Sequence, residues 1–153
     1  MIYLEQSIIA PLKTAVEKST DESCGFLLGS DLGTHRIIST IMEVDNDSFD
    51  RRRSFRISPR NYLKAENYAR CNKLQLLGIY HSHPDSPAIP SEYDRVAAQP
   101  YFSYLILSVM NQKMADMRSW SLKNNAQFEE ETLTVLNINP YVYGNRNNPY
   151  PAA

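Results

Sequence analysis

A chain of 153 residues with 42% apolar and 22% charged side chains is long enough to bury its own core and has an ordinary globular composition, which excludes a mostly disordered chain, a collagen-like chain and a coiled-coil rod. Sixteen Lys plus Arg against 17 Asp plus Glu give a net charge of −1, without the overall basic charge of a dedicated nucleic-acid binder. Mean hydropathy is −0.44, and the central apolar run Tyr104-Leu105-Ile106-Leu107 is far short of the roughly 20 residues a membrane span needs.

The N-terminal residues Met1 to Gln6 have neither the basic nor the apolar region of an export signal. Ile2 to Leu4 predicts a first strand, and Leu12, Ala15 and Val16 set a helical stripe from Ser7 to about Lys18, with Pro11 as an alternative start. Cys24 to Gly29 reads as a buried strand closed by a Gly-rich turn over Gly29 to Gly33, and Arg36 to Val44 as its partner. Asp45 to Ser54 predicts a polar loop, Phe55 and Ile57 a short strand, and Pro59 the start of a helix to about Cys71.

Leu74 to Tyr80 is the most strand-like segment, and Pro84, Pro87 and Pro90 make the residues after it a loop. Ser91 opens a short helix to about Ala98, and Tyr101 to Met110 predicts a strand buried on both faces. Met114 to Leu122 and Phe128 to Leu136 alternate as a closing hairpin around Lys123-Asn124-Asn125. Residues 137–153 are rich in Pro, Asn and Tyr and predict an extended or disordered tail. One domain over residues 1–136 follows, α+β, with a mixed sheet flanked by helices in a three-layer sandwich.

Two of the three histidines stand two residues apart, in His81-Ser82-His83. A strand turns residues i and i+2 to one face, so both imidazoles leave together, close enough to share one ion. Pro84 ends the strand there, where a pocket can open. Asp94 completes Ser91-Glu92-Tyr93-Asp94, a helix-opening capping box that needs no chemistry. The same carboxylate, facing back over the loop, is also placed as a ligand. Two imidazoles and a carboxylate make an open catalytic zinc site, and they suit non-haem iron as well. A zinc hydrolase also needs a base. No His-Glu-x-x-His helix supplies one; Glu22, ahead of the Cys24 strand, is the candidate, although position alone favours reading it as a solvated turn carboxylate.

Cys24 and Cys71 form no CxxC pair, which excludes a cysteine-based zinc site, and sparse cysteine without an export signal fits a cytoplasmic protein. Cys24 reads as a buried small hydrophobe, and His35 as a surface strand residue. Arg51-Arg52-Arg53 reads as a solvated loop, with an acidic partner as the alternative. Tyr80, Tyr93, Tyr101 and Phe102 read as core or pocket wall, with Tyr80, next to the histidines, within reach of substrate as the alternative.

Glu22, then His81-Ser82-His83, seven residues, and Ser91-x-x-Asp94 resemble the JAMM motif of the JAB/MPN metalloprotease family. Glu22 to Gly29 and Gly78 to Pro84 are similar to its two conserved blocks, and the resemblance covers residues 1 to about 136. It implies that His81, His83 and Asp94 bind zinc, that Glu22 is the general acid/base and that Ser91 donates to the oxyanion; Ser82 reads as structural, since strand alternation turns it away from the metal face. It implies cleavage of a peptide or isopeptide bond at the C-terminus of a ubiquitin-like partner. The compact length is similar to the prokaryotic branch that acts on sulfur-carrier proteins. A narrow Gly-Gly tail added along a sheet edge would explain selection for small residues. Three rivals remain: an inactive MPN-type scaffold, which the intact Glu22 argues against; an iron oxygenase, which has no use for Glu22; and a DNA-repair relative, which the near-neutral charge argues against. Oligomeric state is not legible in the sequence.

Overall fold

The computed structural model describes residues 1–137; the tail expected beyond them lies outside the described residues. Eight described strands, β1 (Ile2–Glu5), β2 (Cys24–Asp31), β3 (Arg36–Val44), β4 (Gln75–Pro84), β5 (Ser103–Met110), β6 (Lys113–Leu122), β7 (Phe128–Glu131) and β8 (Leu133–Leu136), form one sheet in the order β7-β6-β5-β4-β2-β3-β1-β8. β1 runs parallel to β3 and β8, and β4 runs parallel to β5; the other pairs are antiparallel. The helices are α1 (Ile9–Glu17), α2 (Pro59–Cys71) and α3 (Glu92–Ala97).

The central strands are apolar at consecutive positions because both of their faces are covered. One face of β2, β4 and β5 presents Leu27, Leu77, Leu105 and Leu107, which pack with Leu12, Ala15 and Val16 of α1. The other presents Phe26, Leu28, Ile79 and Tyr104, which pack with Ala65 and Ala69 of α2. The mixed sheet between two helical layers is therefore as expected. Ser58 caps α2 by accepting from the Asn61 N–H, with Pro59 in the first turn. Pro11 sits in the first turn of α1, where the missing N–H has no helical partner to lose.

Four expectations are corrected. Phe128 to Leu136 is two strands: β7 continues the hairpin with β6, and β8 lies parallel to β1 at the far end of the sheet. Only Thr132 separates these two edge strands, so the sheet rolls until its edges meet, and Ile2 donates its N–H to the Thr132 carbonyl. Phe55 to Ile57 is not a strand, because Arg56 exchanges its backbone bonds with Asn46 and Asp47 in the loop. The glycine turn begins later than read: β2 continues through Gly29 to Asp31, and His35 lies in the turn, edge-on to Tyr3. Arg36 braces the roll from β3: its guanidinium donates to the Leu77 carbonyl at 3.2 Å and to Ser103 Oγ at 3.1 Å, under Tyr101.

Gly78 faces Ser103 where β4 pairs with β5, and a Cβ there would meet the Ser103 backbone. Gly78→Ala is expected to cost about 1–3 kcal/mol, as overpacking does, and to lower the melting temperature by several degrees. An unchanged thermal melt would contradict this packing.

Candidate metal centre

The C-terminal end of β4 carries both histidines on one face. The Nε2 atoms of His81 and His83 lie 3.1 Å apart. Asp94 reaches both from the first turn of α3, with Oδ1 3.2 Å from His81 Nε2 and Oδ2 3.2 Å from His83 Nε2. All three side chains are buried. The Pro87 carbonyl lies 2.8 Å from His83 Nδ1. A carbonyl only accepts, so Nδ1 holds the proton and Nε2 of the neutral ring turns its lone pair inward. The loop that supplies Pro87 is itself held: Ser108 Oγ donates to the Ser86 carbonyl and Trp120 Nε1 to the Ala88 carbonyl. Phe55 stacks on the His81 ring at 4.4 Å, and the His81 Nδ1 atom is buried without a partner among the described residues.

Antiparallel pairing brings Glu22 here from a distant stretch of chain. Cys24 pairs with His81. Ahead of it Ser23 donates its N–H to Ser82 Oγ at 2.8 Å and accepts from the Ser82 N–H at 2.9 Å. The next residue, Glu22, therefore stands opposite His83. Its side chain is buried, and Oε2 has no partner among the described residues. Glu22, His83, Ser86 and Ser91 line one cavity of about 200 Å³. Ser91 caps α3: its Oγ accepts from the Asp94 N–H, and Asp94 Oδ2 accepts from the Ser91 N–H at 2.7 Å.

Burial pushes the Glu22 carboxyl up to about 8, against the pull of His83. Burial lowers His81. His83 is raised despite its burial, by its bonds to Asp94 and the Pro87 carbonyl. Asp94 is held far below the carboxylate range: the two imidazoles and the Ser91 N–H outweigh its burial. Burial and then Glu22 push the Cys24 thiol up to about 12, which leaves it inert. Two imidazole Nε2 atoms and an ionised carboxylate around one point fit a divalent cation with N and O ligands.

Residues 5–123 match the prokaryotic homologs of the JAB domain. The chain belongs to that family. This JAB domain is 25% identical over 134 residues to a desampylase from Pyrococcus furiosus, which covers 88% of this chain and 90% of that one. A solution structure of a Desulfitobacterium hafniense protein is 29% identical, with a TM-score of 0.81 over 92% of this chain and 97% of that one. A crystal structure of a JAB1/MPN domain protein from Archaeoglobus fulgidus shares the fold at a TM-score of 0.56 and 16% identity, over 88% of this chain and 98% of that one.

Glu22, His81, His83, Ser91 and Asp94 of this JAB domain thus meet at one end of the sheet. Tyr80 does not: it points to the opposite face of β4, fully buried with the α1 core. The core reading thus holds for Tyr80 and Phe102, whereas Tyr93 and Tyr101 are exposed. The sequence reading missed Phe55, the Pro87 carbonyl and Asn46. Asn46 is a hub whose Nδ2 donates to the Glu22 and Ser54 carbonyls and whose Oδ1 accepts from the Ser48 and Arg56 N–H groups. The Asn-Asp-Ser run in the loop was the available signal for such a turn. Among the described residues no helix is long and apolar enough to cross a membrane.

Ser82→Ala removes the acceptor of the buried Ser23 N–H. It is expected to cost about 1–3 kcal/mol, read as a lower melting temperature with the histidine pair intact. A variant as stable as the parent would mean that the Ser23 contact does not hold Glu22 in place.

Proposed function

We propose that this JAB domain is a zinc-dependent peptidase or isopeptidase, cytoplasmic, that cuts at the C-terminus of a ubiquitin-like, sulfur-carrier-type protein. The observation that carries this reading is the convergence of ligand atoms from His81, His83 and Asp94 within 4.8 Å of one another, with Glu22, whose Oε2 has no partner among the described residues, lining the same cavity as His83. The similarity to a desampylase supports a ubiquitin-like substrate. We take residues 1–136 as the working unit, since β8 ends at Leu136.

His81, His83 and Asp94 would hold the zinc, which when bound supplies a Lewis acid and a water acidified to about pKa 7. The buried Glu22 Oε2 takes the proton of the attacking water and returns it to the leaving amine as the C–N bond breaks. The Ser91 hydroxyl already accepts the Asp94 N–H, so its own proton is free to be donated into the cavity, toward the developing oxyanion. The cap and the catalytic role are compatible, since one uses a lone pair of Oγ and the other its hydrogen.

Elemental analysis of protein purified without added metal is expected to give one zinc per chain, lost in a His83→Ala, Asp94→Ala double variant. Stoichiometric iron would sink the zinc reading. Glu22→Gln is expected to fold and keep its zinc, yet to cleave a ubiquitin-like fusion about a hundred- to ten-thousandfold more slowly. Cleavage near the wild-type rate would favour an inactive-type scaffold whose apparent turnover comes from elsewhere. Ser91→Ala is expected to lose about a hundredfold in turnover. If the residue is only a cap, stability falls by about 1 kcal/mol and turnover barely moves.

A further inference from the structure

We propose that Arg52 and Arg53 form an anion subsite at the mouth of the metal centre, which takes the free α-carboxylate of the residue released from the scissile bond. The inference rests on the peptidase reading and adds the side chains that hold the released residue.

Both arginines line the cavity of about 200 Å³ that also contains Glu22, His83 and Ser91. Their loop has a fixed base. Glu22 donates its N–H to the Arg51 carbonyl at 2.8 Å, and the Glu22 carbonyl accepts from Asn46 Nδ2 at 3.0 Å. The backbone of the proposed acid/base is thus bonded in both directions to the loop that carries the guanidinium groups. Arg51 does not belong to the subsite: it lines the neighbouring cavity, among Asp21, Glu43 and Asp45.

The two guanidinium groups are available. Arg52 meets Asp85 at 3.7 Å, between side chains that are 59% and 55% exposed, a pair weak enough for another carboxylate to replace. The Arg53 side chain has no hydrogen bond or ion pair among the described residues. Guanidinium forks match carboxylates in a bidentate way, which selects for that chemistry over a neutral amide.

Position selects the source of the carboxylate. Glu22 returns its proton to the leaving nitrogen, so the released residue lies on the Glu22 side of the cut. The α-carboxylate of a single released residue is two bonds from that nitrogen, inside the cavity whose wall Arg52 and Arg53 supply. A long extension would carry its carboxylate out of the cavity and leave the two charges unanswered.

The test uses the zinc-loaded Glu22→Gln chain, so that the probes are not consumed. Calorimetry compares a peptide ending in Gly-Gly-Gly as the free acid with the same peptide as its C-terminal amide. The free acid is expected to bind about tenfold or more tightly, and Arg52→Gln with Arg53→Gln is expected to bring the ratio to about one, with zinc content unchanged. Equal binding of acid and amide by the parent, a ratio that survives the double substitution, or no binding of either peptide would overturn the subsite. An amidated peptide with a terminal Asp side chain that binds as well as the free acid would overturn the α-carboxylate assignment. Should the wild-type chain leave the free-acid peptide uncut while the binding preference persists, the peptidase reading fails and the subsite stands.

Discussion

The antiparallel register of β2 on β4 fixes what stands beside the histidine pair. Cys24 opposite His81 puts Ser23 opposite Ser82 and Glu22 opposite His83. A slip of one residue would turn Glu22 to the other face of the sheet. The Ser23–Ser82 contacts lock that register at the strand end, where ladder bonds alone are weakest, and Gly25 lets the Tyr80 ring lie close under β2. The seryl residue between the two histidines thus serves the site from the face opposite to them.

Around this pairing the protein gathers four buried ionisable groups, Glu22, His81, His83 and Asp94, at the end of an otherwise apolar sheet. Such groups are costly to bury unless each finds a partner. Asp94 has the most: two imidazoles and the Ser91 N–H. Glu22 has the least, with one oxygen unpartnered among the described residues and a carboxyl raised to about 8 by burial. That contrast between two carboxylates in one site separates their chemistry: one is suited to hold a cation, the other to carry a proton.

The histidine pair was legible because strand periodicity alone determines its common face, and the capping box because its spacing is local. The central strands were legible from their unbroken apolar runs. The split of Phe128 to Leu136 was not, since both strands alternate alike and the break at Thr132 leaves no turn residue to mark it. Phe55 and Ile57 have the apolar alternation of a strand, but the Asn46 side chain takes the Arg56 N–H and the loop takes its carbonyl. Their side chains are used all the same, Phe55 against His81 and Ile57 in the α2 core. The place of Arg52 and Arg53 beside Glu22 depends on a backbone bond across 29 residues, Glu22 to Arg51, which no local pattern announces.

The central claim is that His81, His83 and Asp94 together hold one zinc with an open position. X-ray absorption at the zinc edge of the reconstituted chain tests it directly. The account predicts a shell of nitrogen and oxygen at about 2.0–2.2 Å with the signature of two imidazoles, reduced to one imidazole in His81→Ala. A sulfur scatterer at about 2.3 Å, or an all-oxygen shell indifferent to His81, would contradict it.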